Sequence, residues 1–108
     1  MSVYQKLVRD GIPNLITSQG KSCRMRVLEP QEYIAELRNK LKEEAEEYFQ
    51  AVTDEEALEE LADMLEVIHT LAETHGSSYT ALDKIRDEKA QSRGGFRERV
   101  FLIEVEGE

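Results

Sequence analysis

Apolar residues recur at Ile34, Leu37, Leu41, Ala45, Tyr48 and Val52, at intervals of three and four. That period marks one face of an amphipathic helix and predicts a helix over about residues 31–52. A second run, Leu58, Leu61, Leu65, Ile68 and Ala72, has the same period. It predicts a helix that reaches about His75, with Gly76 as its stop. Between the two, Thr53-x-x-Glu56 fits a capping box that starts the second helix. A break this short makes the helices antiparallel neighbours. Ser77 or Ser78 caps a third helix over 79–93, with Tyr79, Leu82 and Ile85 on its apolar side and Gly94-Gly95 at its end. Near the start, Asp10 suits the N-cap of a short helix, with Pro13 in the first turn and Gly20 as its stop.

Two segments have another rhythm. Residues 21–28 alternate Cys23, Met25 and Val27 against Arg24 and Arg26, a strand-like period of two. Residues 96–105 are rich in β-branched and aromatic side chains and read as a terminal strand or extended tail, suited to a subunit contact. The two segments are candidates to pair. The expected fold is mainly α: a helical hairpin with flanking helices and short extended terminal segments, forming one domain over 1–108. Tyr48, Phe49, Leu65 and Leu71 give the hairpin more apolar faces than one internal contact can use.

Composition narrows the class. The 108 residues suffice for one modest core, and 40% are apolar while 34% are charged. No apolar run approaches the length of a membrane span, and the N-terminal residues lack the apolar core of a secretory signal. The single Cys23 has no internal disulfide partner, which favours a reducing compartment, and its default reading is a structural thiol. The expected location is the cytoplasm. A net charge of −9 disfavours nucleic acid and anionic membranes as partners. It is compatible with small anionic substrates, because a bound metal reverses the local charge. There is no P-loop, no dinucleotide-binding glycine fingerprint and no Ser-His-Asp set. His69 and His75 are spaced by six, a poor fit to one helical face, and read as structural or solvent-facing.

The chemistry concentrates in the hairpin. Glu43-Glu44-x-x-Glu47 and Glu60-x-x-Asp63 lie on either side of the break at Thr53-Asp54. Glu44 and Asp63 are equidistant from the turn, as are Glu47 and Glu60. Each i,i+3 pair lies on one surface of its helix and borders an apolar stripe. If the hand of packing joins those edges, four carboxylates converge. Such a cluster needs compensation, and a hard cation with oxygen ligands, Mg²⁺ above all, supplies it. Mg²⁺ held by a few carboxylates keeps positions for water and phosphates. The same pattern also suits a solvated acidic face, since Glu is a good helix former. Lys40, four residues before Glu44, reads as an offset to helix charge. Lys6 and Arg9 can reach a triphosphate or an acidic neighbour. Lys89 and Arg93 share a face of the third helix and can contact phosphates, although Asp83 and Asp87 equally suit an ordinary charged surface.

Glu43-Glu44-x-x-Glu47, residues 48–59, then Glu60-x-x-Asp63 resembles the signature of the MazG-like all-α nucleotide pyrophosphohydrolases, a superfamily that includes the phosphoribosyl-ATP pyrophosphohydrolases. Tyr4-x-Lys6-Leu7-Val8-Arg9-Asp10-x-Ile12-Pro13 and Arg93-Gly94-Gly95-Phe96 resemble a small branch of it, so the likeness covers most of the chain. Gly11 departs from that branch, which often has a basic residue there. The resemblance implies Mg²⁺-dependent hydrolysis of a nucleoside triphosphate between the α and β phosphates, giving a monophosphate and pyrophosphate, with removal of non-canonical nucleotides as a role. It implies Glu44, Glu47, Glu60 and Asp63 as metal ligands, with Glu43, Glu44 and Glu47 carrying the catalysis. Glu43, or a ligand with a free oxygen, would position or deprotonate the attacking water, although the helical wheel puts Glu43 on the outer side. Arg9, Lys89 and Arg93 would hold phosphate oxygens. The resemblance also implies a homodimer or homotetramer with a four-helix-bundle core. A phosphoribosyl-ATP enzyme and a non-enzymatic helical interaction module are the alternatives.

Overall fold

Four helices account for all the regular structure of a computed structural model that describes residues 2–107. They are α1 (Ile12–Ser18), α2 (Pro30–Gln50), α3 (Asp54–Thr74) and α4 (Tyr79–Arg93). Helices α2 and α3 form the antiparallel hairpin, and α4 packs on α3. No described helix is long and apolar enough to cross a membrane.

Local chemistry sets the boundaries. Pro30 opens α2, where its missing N–H costs nothing and its φ suits the first turn. The helix ends at Gln50, and Ala51 turns extended on the way to the next cap. Thr53 Oγ1 accepts from the Glu56 backbone N–H at 3.1 Å, and Glu56 Oε2 reaches back to accept from the N–H of Val52 at 3.2 Å. The return bond thus lands one residue earlier than in a standard capping box. At the far end, Gly76 takes φ +73°, Ser77 N–H donates to Ala72 O and Gly76 N–H donates to Glu73 O. That pair of bonds is a Schellman stop, and it needs the left-handed residue that glycine supplies. Ser78 Oγ caps α4 by accepting from Ala81 N–H.

The start of α1 differs from expectation. Gly11, not Asp10, is the N-cap, with no side-chain hydrogen bond. Ile12 N–H donates to Arg9 O, so the chain is already wound into a turn through Asp10 and Gly11, and a carboxylate is not called on to start the helix. The strand expectation is corrected as well. Among the described residues there is no strand, and residues 22–28 and 100–105 carry neither helix nor ladder. Strand pairing is non-local, and alternation in one segment gains nothing until a second segment meets it.

The core is small. Leu37, Val67 and Ala72 are its buried apolar residues, with Glu44 buried beside them. Phe49, Val52 and Leu58 remain largely exposed, and Leu61 and Leu65 nearly half so. The radius of gyration is 18.7 Å, against about 13 Å for a closed domain of this size. A single chain leaves much of its apolar surface in water.

Candidate metal centre

The acidic residues meet at the hairpin interface near its turn. On α2, Glu44 follows Leu37 by seven residues and so shares its inward face. Glu44 is 6% exposed. On α3, Glu60 and Asp63 precede the buried Val67 and lie half-buried on the same side. One oxygen each from Glu44, Glu60 and Asp63 falls within 4.8 Å of the others. Glu43, Glu44 and Glu47 meet the same limit, and Glu44 belongs to both sets. Glu43 is only partly exposed, although the helical wheel puts it on the outer side.

The electrostatics are unresolved by the protein alone. Glu44 Oε2 and Glu60 Oε2 are buried with no hydrogen-bond donor among the described residues. Lys40 Nζ sits 3.7 Å from Glu44 Oε1, at the margin of ion pairing. Burial pushes the Glu60 carboxyl up to about 7, helped by a proton shared with Glu44 and Glu47 and by their charges. Burial likewise raises Glu44, reinforced by the charges of Glu47 and Asp63, while the proton from Glu60 and the Lys40 ammonium act the other way. An all-oxygen donor set with two orphaned buried oxygens fits a hard divalent cation.

The N-terminal segment reaches this cluster. Arg9 Nη2 donates to Asp63 Oδ1 at 2.7 Å, which ties the loop before α1 to the acidic edge of α3. Both side chains are substantially exposed, so this is a surface pair. Lys6 instead lies over the Tyr4 ring. Lys89 and Arg93 are exposed on α4 and make no ion pair or hydrogen bond with the acidic cluster among the described residues. The Asp83–Arg86 and Asp87–Arg86 pairs give that helix an ordinary charged surface.

The two histidines stand apart from the cluster. His69 stacks on Tyr79 with ring centroids 3.7 Å apart, which fastens the start of α4 to α3, and its Nε2 is buried without a partner. His75 ends α3. Two clefts, one lined by Pro30, Tyr33, Ile34, Thr70, Glu73 and Thr74, the other by Ile34, Arg38, Leu41, Lys42, Leu71 and His75, include none of the five acidic residues. No protein-family model, curated protein or solved structure matches the chain.

Proposed function

We propose that this chain is a Mg²⁺-dependent nucleotide pyrophosphohydrolase, splitting a nucleoside triphosphate between its α and β phosphates into a monophosphate and pyrophosphate. The observation that carries the reading is the convergence of Glu44, Glu60 and Asp63 with two buried oxygens lacking any donor. The likeness of the acidic motif, the N-terminal segment and Arg93-Gly94-Gly95-Phe96 to the MazG-like pyrophosphohydrolases supports the reaction class.

Glu44, Glu47, Glu60 and Asp63 would hold the ion. When bound, Mg²⁺ supplies positive charge against the phosphates and acidifies the attacking water. Glu43, or a ligand with a free oxygen, would orient that water and accept its proton. Arg9, beside Asp63, is placed to turn from that carboxylate to a phosphate oxygen. Lys89 and Arg93 would serve a substrate reached from α4, in the same or a second subunit. The exposed apolar faces favour a homodimer or homotetramer, in which the hairpins of two subunits build a four-helix core.

The test is a screen of canonical, altered and phosphoribosylated nucleotides for pyrophosphate release, with and without Mg²⁺. Mg²⁺-dependent release from at least one substrate is expected, and the preferred one selects between the general and the phosphoribosyl-ATP readings. The exposed apolar surface favours a second reading, a helical interaction module. Absence of both turnover and Mg²⁺-dependent thermal stabilisation would leave that module standing and sink the enzyme.

A further inference from the structure

Residues 22–28 and 100–105 share one property: neither segment has a backbone hydrogen bond to any described residue. Both also carry exposed apolar side chains. Met25 and Val27 are open on the first, and Val100, Phe101, Leu102 and Ile103 on the second. A β-competent segment with unpaired N–H and C=O groups is a template for another strand.

The side chains select a register. In an antiparallel pairing that sets Val27 opposite Phe101, Met25 falls opposite Ile103 and Cys23 opposite Val105, so that face is apolar throughout. On the other face Arg24 meets Glu104 and Leu28 meets Val100. Arg26 falls opposite Leu102, but its guanidinium is already committed to both oxygens of Glu32 at 3.1 and 2.7 Å. Arg24 has no such partner among the described residues. A parallel pairing that keeps Met25 against Ile103 sets Leu28 against Glu106 and Arg24 against Leu102. The antiparallel arrangement is better matched, and its ladder is slightly the stronger per residue.

We propose that residues 100–105 form an exchanged arm, adding as an antiparallel strand to residues 23–28 of a second copy of this chain. Within one chain the two segments do not pair. A reciprocal exchange would satisfy both backbones twice in a two-fold dimer. The contact is independent of the carboxylate chemistry, so it stands or falls without the proposed activity.

The lone native thiol supplies the test. Isotope-labelled chain with Cys23 is mixed with unlabelled full-length chain carrying C23S and V105C, then exposed to a mild oxidant. The expected product is a disulfide dimer of twice the 12.4 kDa chain mass, joining Cys23 of a labelled copy to position 105 of an unlabelled one. Peptide mass spectrometry reads the mixed-isotope link. The same experiment with C23S and F101C should give less, because the antiparallel register holds position 101 away from Cys23. Equal yields, a larger yield from F101C, or no mixed-isotope link would overturn the proposal. So would exclusive intrachain bonding when Cys23 and V105C share one chain.

Discussion

Glu44 and Glu60 face each other across the α2–α3 interface, each with a buried oxygen that no donor reaches. A proton or a cation relieves this pair, and the two compete for the same oxygens. The competition gives the site a measurable signature before any substrate is known.

The first consequence concerns pH. Glu60 titrates near 7 in the folded chain against an ordinary value of 4.5, and Glu44 is raised as well. Between those values the folded state binds more protons than the unfolded state, so metal-free stability falls as pH rises through the window. Metal-free protein should melt at a higher temperature near pH 5 than near pH 8. The Mg²⁺-induced rise in melting temperature should run the other way, being small near pH 5 and growing as Glu60 deprotonates. Thermal melts across this range, with and without Mg²⁺, check both slopes. A Mg²⁺ effect independent of pH would remove Glu60 from the ligand set.

Glu44→Gln replaces one buried charge with an amide able to donate to Glu60. The metal-free variant should be more stable than the natural chain near pH 8, since an unsatisfied buried group costs about 1–3 kcal/mol. Its Mg²⁺-induced stabilisation should vanish. Melting curves read both changes, and a variant less stable than the parent under metal-free conditions would contradict the repulsion described.

Glu47→Gln and Asp63→Asn keep side-chain size while removing the charge of two proposed ligands. Each should abolish pyrophosphate release and leave the helical circular dichroism intact. Asp63→Asn also weakens the bond from Arg9, but an exposed pair of this kind contributes only about 0–1 kcal/mol. Loss of turnover in that variant would therefore not be a folding effect. Turnover at the parental rate from either variant would refute the metal assignment.

Thr53→Ala removes the oxygen that accepts from Glu56 N–H and opens the hairpin turn. N-cap losses of this type cost about 1 kcal/mol, which in a domain of this size lowers the melting temperature by roughly 4–8 °C. Thr53→Ser keeps the acceptor and should retain most of the stability. Equal losses from both would mean that the hydroxyl is not the cap.

The hairpin was legible in the sequence because its determinants are local: a period of three to four, Thr53-x-x-Glu56 at one boundary and Gly76 at the other. The mirror placement of Glu44 with Asp63 and of Glu47 with Glu60 followed from the turn, and Glu44, Glu60 and Asp63 do converge. What spacing does not carry is reach. Glu43 joins Glu44 and its i,i+4 neighbour Glu47 although the wheel puts it on the outer side, since the wheel records direction from the axis and not how far a carboxylate extends. Arg9 meets Asp63 across 54 positions, a contact that no local pattern encodes. Lys89 and Arg93 share a face as their spacing requires, yet a shared face does not say what lies opposite it. Residues 21–28 and 96–105 show alternation, but alternation names a competence and leaves the partner open.

The exposed face of α3 gives the last prediction. Leu58, Leu61 and Leu65 are 66%, 44% and 46% exposed on one side of the helix that α4 leaves uncovered. Burying a fully exposed leucine side chain is worth about 1.5–3 kcal/mol, and roughly half of that remains to be gained at each position of this row when a second hairpin covers it. Leu61→Glu with Leu65→Glu puts charges into that face without replacing any residue of the carboxylate cluster or of residues 100–105. The natural chain should run as a dimer or tetramer in light scattering, and the double variant should lose the helical contact, running as a smaller species with reduced melting temperature and reduced turnover. A Val105→Asp variant, altering only the tail, should keep the helical contact and lose at most the arm. A natural chain that is monomeric and fully folded at micromolar concentration would show that the open face is not an interface between copies.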